Sequence, residues 1–394
     1  MKYAAILDRL SGLGGAKWEI HARARQMKAE GHQVIELTIG EPDVPCPDSL
    51  LEVAARAMQA GRTGYSNGRG EPQLLRALAA RLSTRRGRAF TPENIMCFPG
   101  TQTTLFAVLM AIAESGTEVL VGDPMYATYE GLIRASGARP VPVALRPERG
   151  FRLDPADLAA AVTPATRAIL LNTPHNPTGA VLSPEDLVAI GAVARAHDLW
   201  IVSDEVYEDL VFPGTRFASP LDLPDLAERV IACASISKSH AAPGFRSGWC
   251  AGPAEFCDRL LPLSETMLFG GQPFIADMTA AAVSAPSEVA PGMVARFAAR
   301  AAMIRDALDG QHGLRVHVPQ AGMFALLDIR ATGLSGEAFA ASLLEAEQVA
   351  TMPGESFGQA LSGWLRLALS QSDGLTAEAC RRIARHAAAV QTRR

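Results

Sequence analysis

Lysine is scarce in this chain. Of 37 Lys and Arg residues, only Lys2, Lys17, Lys28 and Lys238 are lysines, which leaves 33 arginines. Wherever a positive charge suffices the sequence uses a guanidinium, so Lys238, the one lysine after position 28, points to chemistry that a guanidinium cannot do. A primary amine can lose its proton and then act as nucleophile or base. Other reactive groups come shortly before it in three sets. The apolar run RAILLN ends at Asn172 and leads into Thr173, Pro174, His175, Asn176, Pro177, Thr178 and Gly179. LWIVSD ends at Asp204 and leads into Glu205, Val206 and Tyr207, while RVIACAS ends at Ser235 and leads into Ile236, Ser237 and Lys238. An amide, a carboxylate with a phenol, and hydroxyls with an amine thus follow one another, and Arg246 comes shortly after.

Groups of this kind must be presented by the ends of regular elements. Short apolar runs bounded by turn residues recur at 118–123, 167–172, 199–204, 229–235 and 247–252. Runs without polar alternation suit strands covered on both faces, as in a parallel sheet. Helical segments separate them, most clearly at 183–197. There Ser183 caps, Pro184 occupies the first turn, Glu185 and Asp186 complement the dipole, and Leu187, Ile190 and Val193 form an apolar stripe. The alternation predicts a doubly wound α/β layer, whose ligands sit beyond the carboxyl ends of the strands, where Asn172, Asp204 and Ser235 fall. After about residue 285 the pattern changes to a long Ala/Arg-rich helix at 288–310, short strands near 314–318 and 323–329, and further helices, which reads as a smaller α+β unit. A helix at 17–30 with Trp18, Ile20 and Met27 precedes an apolar strand at 34–40. Periodicity does not say which unit this N-terminal arm joins.

Taken in order, NPTG (176–179), SDEVY (203–207), SISK (235–238) and GFRSGW (244–249) resemble the fold-type I pyridoxal-phosphate enzymes, specifically the class I/II aminotransferases. The resemblance runs from IGEPD (39–43) to WLRLALS (364–370). Within that family GGAKWEIHARA, MYATYE, TPHNPTGA and GMFALLDIRATGLS look most like the arginine:pyruvate transaminase branch. The resemblance implies a large domain over 40–285 with a doubly wound, mostly parallel sheet, and a small α+β domain from 1–39 plus 286–394. It also implies pyridoxal 5'-phosphate as cofactor and a ping-pong exchange of an amino group between an L-amino acid and a pyruvate-like 2-oxo acid.

The same resemblance assigns roles. Lys238 holds the cofactor aldehyde as a Schiff base and shuttles the proton at the substrate's Cα, which requires a pKa lowered by burial or by positive neighbours such as Arg246. Asp204 keeps the ring nitrogen protonated, Asn176 and Tyr207 hold the ring's phenolic oxygen, and Tyr126 stacks on the ring. FPGTQTTL (98–105) opens an apolar helix, so the amides of Gly100, Thr101 and Gln102 suit the phosphate, helped by Ser235, Ser237 and a bidentate Arg246. Tyr65 resembles the tyrosine that reaches a neighbouring subunit's phosphate, which implies a homodimer with shared sites. Arg366 matches the guanidinium that grips the substrate carboxylate, with the Gly40 backbone nearby, and Asn176 also faces substrate. His175 and His240 receive no role. Two departures stand out. Ala242 and Pro243 replace the more usual Met-Thr after the lysine, and Gln102 stands where some aspartate-specific relatives place a lysine, which argues against a dicarboxylate specialist.

Composition excludes several other classes. With 394 residues, 48% hydrophobic and 20% charged, the chain has enough apolar material for two packed units. A net charge of −4 gives no footprint for nucleic acid or an anionic membrane. The six cysteines form no Cys-x-x-Cys pair and suggest neither disulfides nor a metal site. No run approaches the ~20 apolar residues of a membrane span, and the start lacks a signal-peptide core, so a cytoplasmic enzyme is expected. Two rivals remain open on residues alone. The cofactor set would also serve a lyase cleaving a carbon–sulfur or related bond, and Ser235-x-x-Lys238 matches a Ser-Lys hydrolase signature, although its companion Ser-Asp-Asn and Lys-Thr-Gly elements are missing. A pyridoxal-binding regulatory module would need an added DNA-binding domain, for which the length leaves no room.

Overall fold

The computed structural model describes residues 1–13 and 16–392; Gly14 and Gly15, which open the GGAKWEIHARA phrase, lie outside the described residues. Twelve strands form two sheets among these residues. In chain order they are β1 Ile35–Leu37, β2 Ile95–Phe98, β3 Glu118–Asp123, β4 Arg139–Ala144, β5 Thr166–Asn172, β6 Trp200–Asp204, β7 Val230–Ser235, β8 Gly248–Ala251, β9 Arg315–His317, β10 Phe324–Asp328, β11 Val349–Pro353 and β12 Trp364–Ala368.

The larger sheet has the order β2-β8-β7-β6-β5-β3-β4. The expected runs form its centre, and their lack of polar alternation has a direct cause. Ile169, Leu171, Ile201 and Ala232 face one apolar cluster, while Leu170, Val202, Ile231 and Cys233 face another on the opposite side. Both faces are covered by helices, so the central positions of these strands are apolar on both sides and polar residues gather at the strand ends. SGWCAG is a strand, but an antiparallel one against both β2 and β7. The connection from β7 to β8 contains only the short turn Pro243–Phe245, and a parallel return would need a longer crossover. The helix expected at 183–197 spans Pro184–Ala196, with Ser183 and Asp186 bonded reciprocally at its start.

The smaller sheet has the order β1-β11-β12-β10-β9, with β1 and β11 parallel and the other pairs antiparallel. Helices Ala290–Leu308, Gly336–Glu347 and Asp373–Thr392 cover it through a cluster containing Phe297, Phe339, Leu343 and Ile383. The N-terminal arm enters this sheet, because Ile35 pairs with Val349 and Leu37 with Thr351. The strand expected over 34–40 stops at Leu37. The carbonyls of Thr38 and Gly40 leave the ladder and accept hydrogen bonds from Arg366 and Lys238 instead.

Candidate active site

The parallel register brings the reactive residues together. Asn172 at the end of β5 lies beside Asp204 at the end of β6, and Asp204 lies beside Cys233 of β7, two residues before Ser235. Beyond these ends a cavity of about 260 Å³ opens toward the smaller sheet. Of the residues singled out in the sequence, Gly40, Thr101, Gln102, Tyr126, Asn176 and Asp204 line it. Tyr207, Ser235, Ser237, Lys238, Arg246 and Arg366 line it as well. Gly100 stands behind this wall, and Tyr65 is not brought in: the residue is 92% exposed, and its ring meets Phe269 edge-on at 5.2 Å.

Lys238 projects from the loop after β7 and donates to the Gly40 carbonyl at 2.6 Å. Burial, reinforced by the charges of Arg366 and Arg246 and opposed by Glu41, pushes its pKa down to about 8. The amine is therefore partly free at neutral pH, which an exposed lysine is not. Asp204 is buried, and burial pushes its carboxyl up to about 6 against hydrogen bonds that favour the anion. Those bonds come from the Tyr129 hydroxyl at 2.7 Å and the Val206 amide at 3.1 Å, neither of them a cation. A protonated ring nitrogen would supply the missing positive partner.

Arg366 on β12 is buried between the Phe324 and Phe357 rings, 3.9 and 4.5 Å from their centroids. It donates to the Asn176 side-chain oxygen at 3.0 Å and to the Thr38 carbonyl at 2.5 Å, while its Nε has no partner. Burial lowers its pKa to about 10, which still leaves it charged at neutral pH. A buried guanidinium whose hydrogen-bond partners here are uncharged is set up for an anion. Asn176 is held by the Asn172 side-chain oxygen, which accepts from its backbone N–H at 2.7 Å. Its side-chain amide reaches the Tyr207 hydroxyl at 3.5 Å, and burial raises the pKa of that phenol.

At the other end of the cavity the helix Gly100–Ile112 begins. Gly100 has φ +81°, and a Cβ there would lie 2.1 Å from an Arg246 guanidinium nitrogen. Glycine is thus required for the helix start and the guanidinium to come together. The Thr101 hydroxyl is buried without a partner, and Ser235 and Ser237 line the same end. Two serines, an arginine, an unpartnered hydroxyl and a helix N-terminus make a donor set for a dianion.

Comparisons with known proteins decide the family. The sequence model described as Aminotransferase class I and II matches residues 32–383. The chain is a class I and II aminotransferase. It is 41% identical to the arginine–pyruvate transaminase of Pseudomonas aeruginosa, over 98% of both chains. It is 34% identical to an aspartate/prephenate aminotransferase of Cereibacter sphaeroides over 92% of this chain and 93% of the other. Among solved structures, the aspartate aminotransferase of Thermus thermophilus with maleate superposes with a TM-score of 0.92 at 30% identity, covering 98% of this chain and all of that one. The aminotransferase is accordingly a fold-type I enzyme that depends on pyridoxal phosphate and exchanges amino groups between amino acids and 2-oxo acids. Its cavity fits that cofactor: an uncompensated buried carboxylate at one end and a set of dianion donors with an unsatisfied hydroxyl at the other match a pyridinium and a phosphate.

Some site residues were not visible in the sequence. Tyr129, three residues after Tyr126, donates to Asp204, and the Tyr126 and Tyr129 rings meet edge-on at 5.6 Å. Trp18 from the N-terminal arm and Phe324 from β10 also line the cavity. Tyr129 falls in the MYATYE phrase, Trp18 in GGAKWEIHARA and Phe324 in GMFALLDIRATGLS, but nothing in those phrases assigned any of the three to the site. His175 and His240 are bonded to Thr178 and to Ser239 and the Ala282 carbonyl, and both serve the scaffold.

Proposed function

We propose that this aminotransferase takes arginine or another neutral-to-basic or aromatic amino acid as donor and a pyruvate-like 2-oxo acid as acceptor. The observation that carries this reading is the 41% identity over 98% of both chains to a transaminase named for arginine and pyruvate. Gln102 on the cavity wall supports it, since a neutral amide held by the Thr128 hydroxyl at 3.0 Å offers no cation to a second carboxylate.

When bound, pyridoxal phosphate supplies an aldehyde that condenses with amines and a protonated ring that takes up the electrons released at the substrate's Cα. The chain's residues do the rest. Lys238 would anchor the cofactor, and its amine, displaced by substrate, takes the Cα proton and delivers it to the carbon on the far side of the substrate nitrogen, two atoms away. Asp204, oriented by Tyr129 and the Val206 amide, keeps the ring nitrogen protonated. Asn176 and Tyr207 hold the phenolic oxygen, and Tyr126 packs on the ring. Gly100, Thr101 and Gln102 offer amides to the phosphate, with Ser235, Ser237 and Arg246 beside them. Arg366 grips the α-carboxylate of donor and acceptor alike, which lets one site serve both halves of a ping-pong cycle. We further place the large domain at 40–285 and the small domain at 1–39 plus 286–394, and read the enzyme as a cytoplasmic homodimer whose exposed Tyr65 completes its partner's phosphate site. Among the described residues no helix is long and apolar enough to cross a membrane.

A panel of amino acids tests the reading through loss of the cofactor's visible band, with Lys238→Ala as control. Arginine with pyruvate should convert the band and yield alanine without free ammonia. Ammonia release, or conversion by aspartate alone, would overturn it.

A further inference from the structure

The segment Ile39–Asp43 delivers the Gly40 carbonyl to Lys238, yet it lies beyond the end of β1 and belongs to no ladder. Three charge-assisted hydrogen bonds hold it at Asp43. Arg296 donates to both carboxylate oxygens at 2.7 and 2.8 Å, and Arg300 donates to Oδ2 at 2.8 Å. Both arginines lie on helix Ala290–Leu308, one turn apart. Burial would raise the pKa of Asp43, but the two guanidinium groups outweigh it and hold the carboxyl below its usual value. Arg300 is itself buried, and the same nitrogen donates to the Leu369 carbonyl at 3.0 Å while its Nε donates to Asp373 at 2.7 Å. Leu369 follows β12 by one residue and Arg366 by three. One buried guanidinium therefore ties the loop carrying Gly40 to the chain just beyond the strand carrying Arg366.

The gap between these two groups leaves little freedom. A Cβ on Gly40 would lie 2.1 Å from the Phe324 ring, and that ring lies 3.9 Å from the Arg366 guanidinium. Loop backbone, ring and guanidinium are thus stacked in contact. A shift of the loop therefore changes the space over Arg366, and a misplacement of ~1 Å in a site can cost about 10²-fold.

We propose that Asp43, Arg296 and Arg300 form a positioning latch that fixes the Gly40 loop against Arg366 and so sets the grip on the substrate's carboxylate. None of the three lines the cavity, so they act through Gly40, Phe324 and Arg366. The inference rests on the proposed role of Arg366 as the carboxylate anchor.

The test is steady-state kinetics of the holoenzyme with Asp43→Asn, Arg296→Gln and Arg366→Lys, combined with pyridoxal phosphate affinity and amide hydrogen exchange of the cofactor-free proteins. Asp43→Asn is expected to raise KM for donor and acceptor about tenfold, with kcat and cofactor affinity within twofold of wild type. It should also speed exchange at residues 39–43 without changing β5 to β7. Arg296→Gln, which removes a half-exposed guanidinium and leaves Arg300 in place, should raise KM about threefold and keeps the test available if Asp43→Asn does not fold. Unchanged KM in a folded variant, or KM, kcat and cofactor affinity all failing together, would overturn the latch. If Arg366→Lys leaves KM unchanged, the carboxylate anchor itself is wrong; if it raises KM while the latch variants do not, only the latch fails.

Discussion

At the scale of single residues, burial moves Lys238, Asp204 and Arg366 away from their ordinary protonation. Lys238 is the clearest case. Its pKa of about 8 lies below the usual lysine value, so the folded chain releases the proton at a lower pH than the unfolded chain does. In the cofactor-free protein its amine is protonated below pH ~8 and free above it. The unfolded chain retains that proton up to pH ~10.5, so this lysine's contribution to stability rises with pH between the two values. Recombination with pyridoxal phosphate needs the free amine. Its rate should climb with pH and level off near 8, as followed by stopped-flow absorbance; a climb continuing toward pH 10 would mean that Lys238 titrates like an exposed lysine. Asp204 shows the opposite sign, a carboxyl raised by burial and restrained by Tyr129. The two shifts prepare one amine to be neutral and one acid to seek a cation.

At the scale of elements, the carboxyl ends of β5, β6 and β7 and the start of the Gly100–Ile112 helix meet around one cavity. The polar residues of the three strand ends could be read from the sequence because parallel strands are apolar until they leave the sheet. The helix start depends on Gly100, whose positive φ and close approach to Arg246 leave no room for a side chain. Gly100→Ala should displace that guanidinium and raise the dissociation constant for pyridoxal phosphate about tenfold or more, the loss expected for a charge-assisted hydrogen bond. Fluorescence titration of the cofactor-free protein measures this, and a constant within twofold of wild type would remove Arg246 and Gly100 from the phosphate site. The strand expected over 34–40 shows the limit of local patterning. Thr38, Ile39 and Gly40 continue the run, but their backbone is taken by Arg366 and Lys238, more than 190 residues away in sequence.

At the scale of the whole molecule, two sheets contribute to one cavity and the exposed Tyr65 is not among the residues that line it. If Tyr65 acts in a partner's site, hybrid dimers give a sharp outcome. A Lys238→Ala subunit paired with a Tyr65→Phe subunit forms one site damaged twice and one with both residues intact. Mixed and re-folded variants should therefore regain about half of the wild-type activity in the hybrid, at wild-type cofactor affinity. If Tyr65 acts within its own subunit, the hybrid would have no intact site and its affinity would stay that of Tyr65→Phe.

The sequence alone determined the inventory of reactive groups and the layer that carries them. Lysine scarcity marked Lys238, and unbroken apolar runs ending in Asn172, Asp204 and Ser235 marked a parallel sheet with a site at its edge, since composition and local patterning do not depend on which distant segments meet. Tertiary structure decided the partners. Tyr129 on Asp204, Phe324 and Phe357 around Arg366, and the carbonyls of Thr38 and Gly40 are contacts between distant segments. A phenol, a ring or a carbonyl carries no mark of its partner in the sequence, because the pairing energy exists only once packing has removed water and brought the two groups within bonding distance.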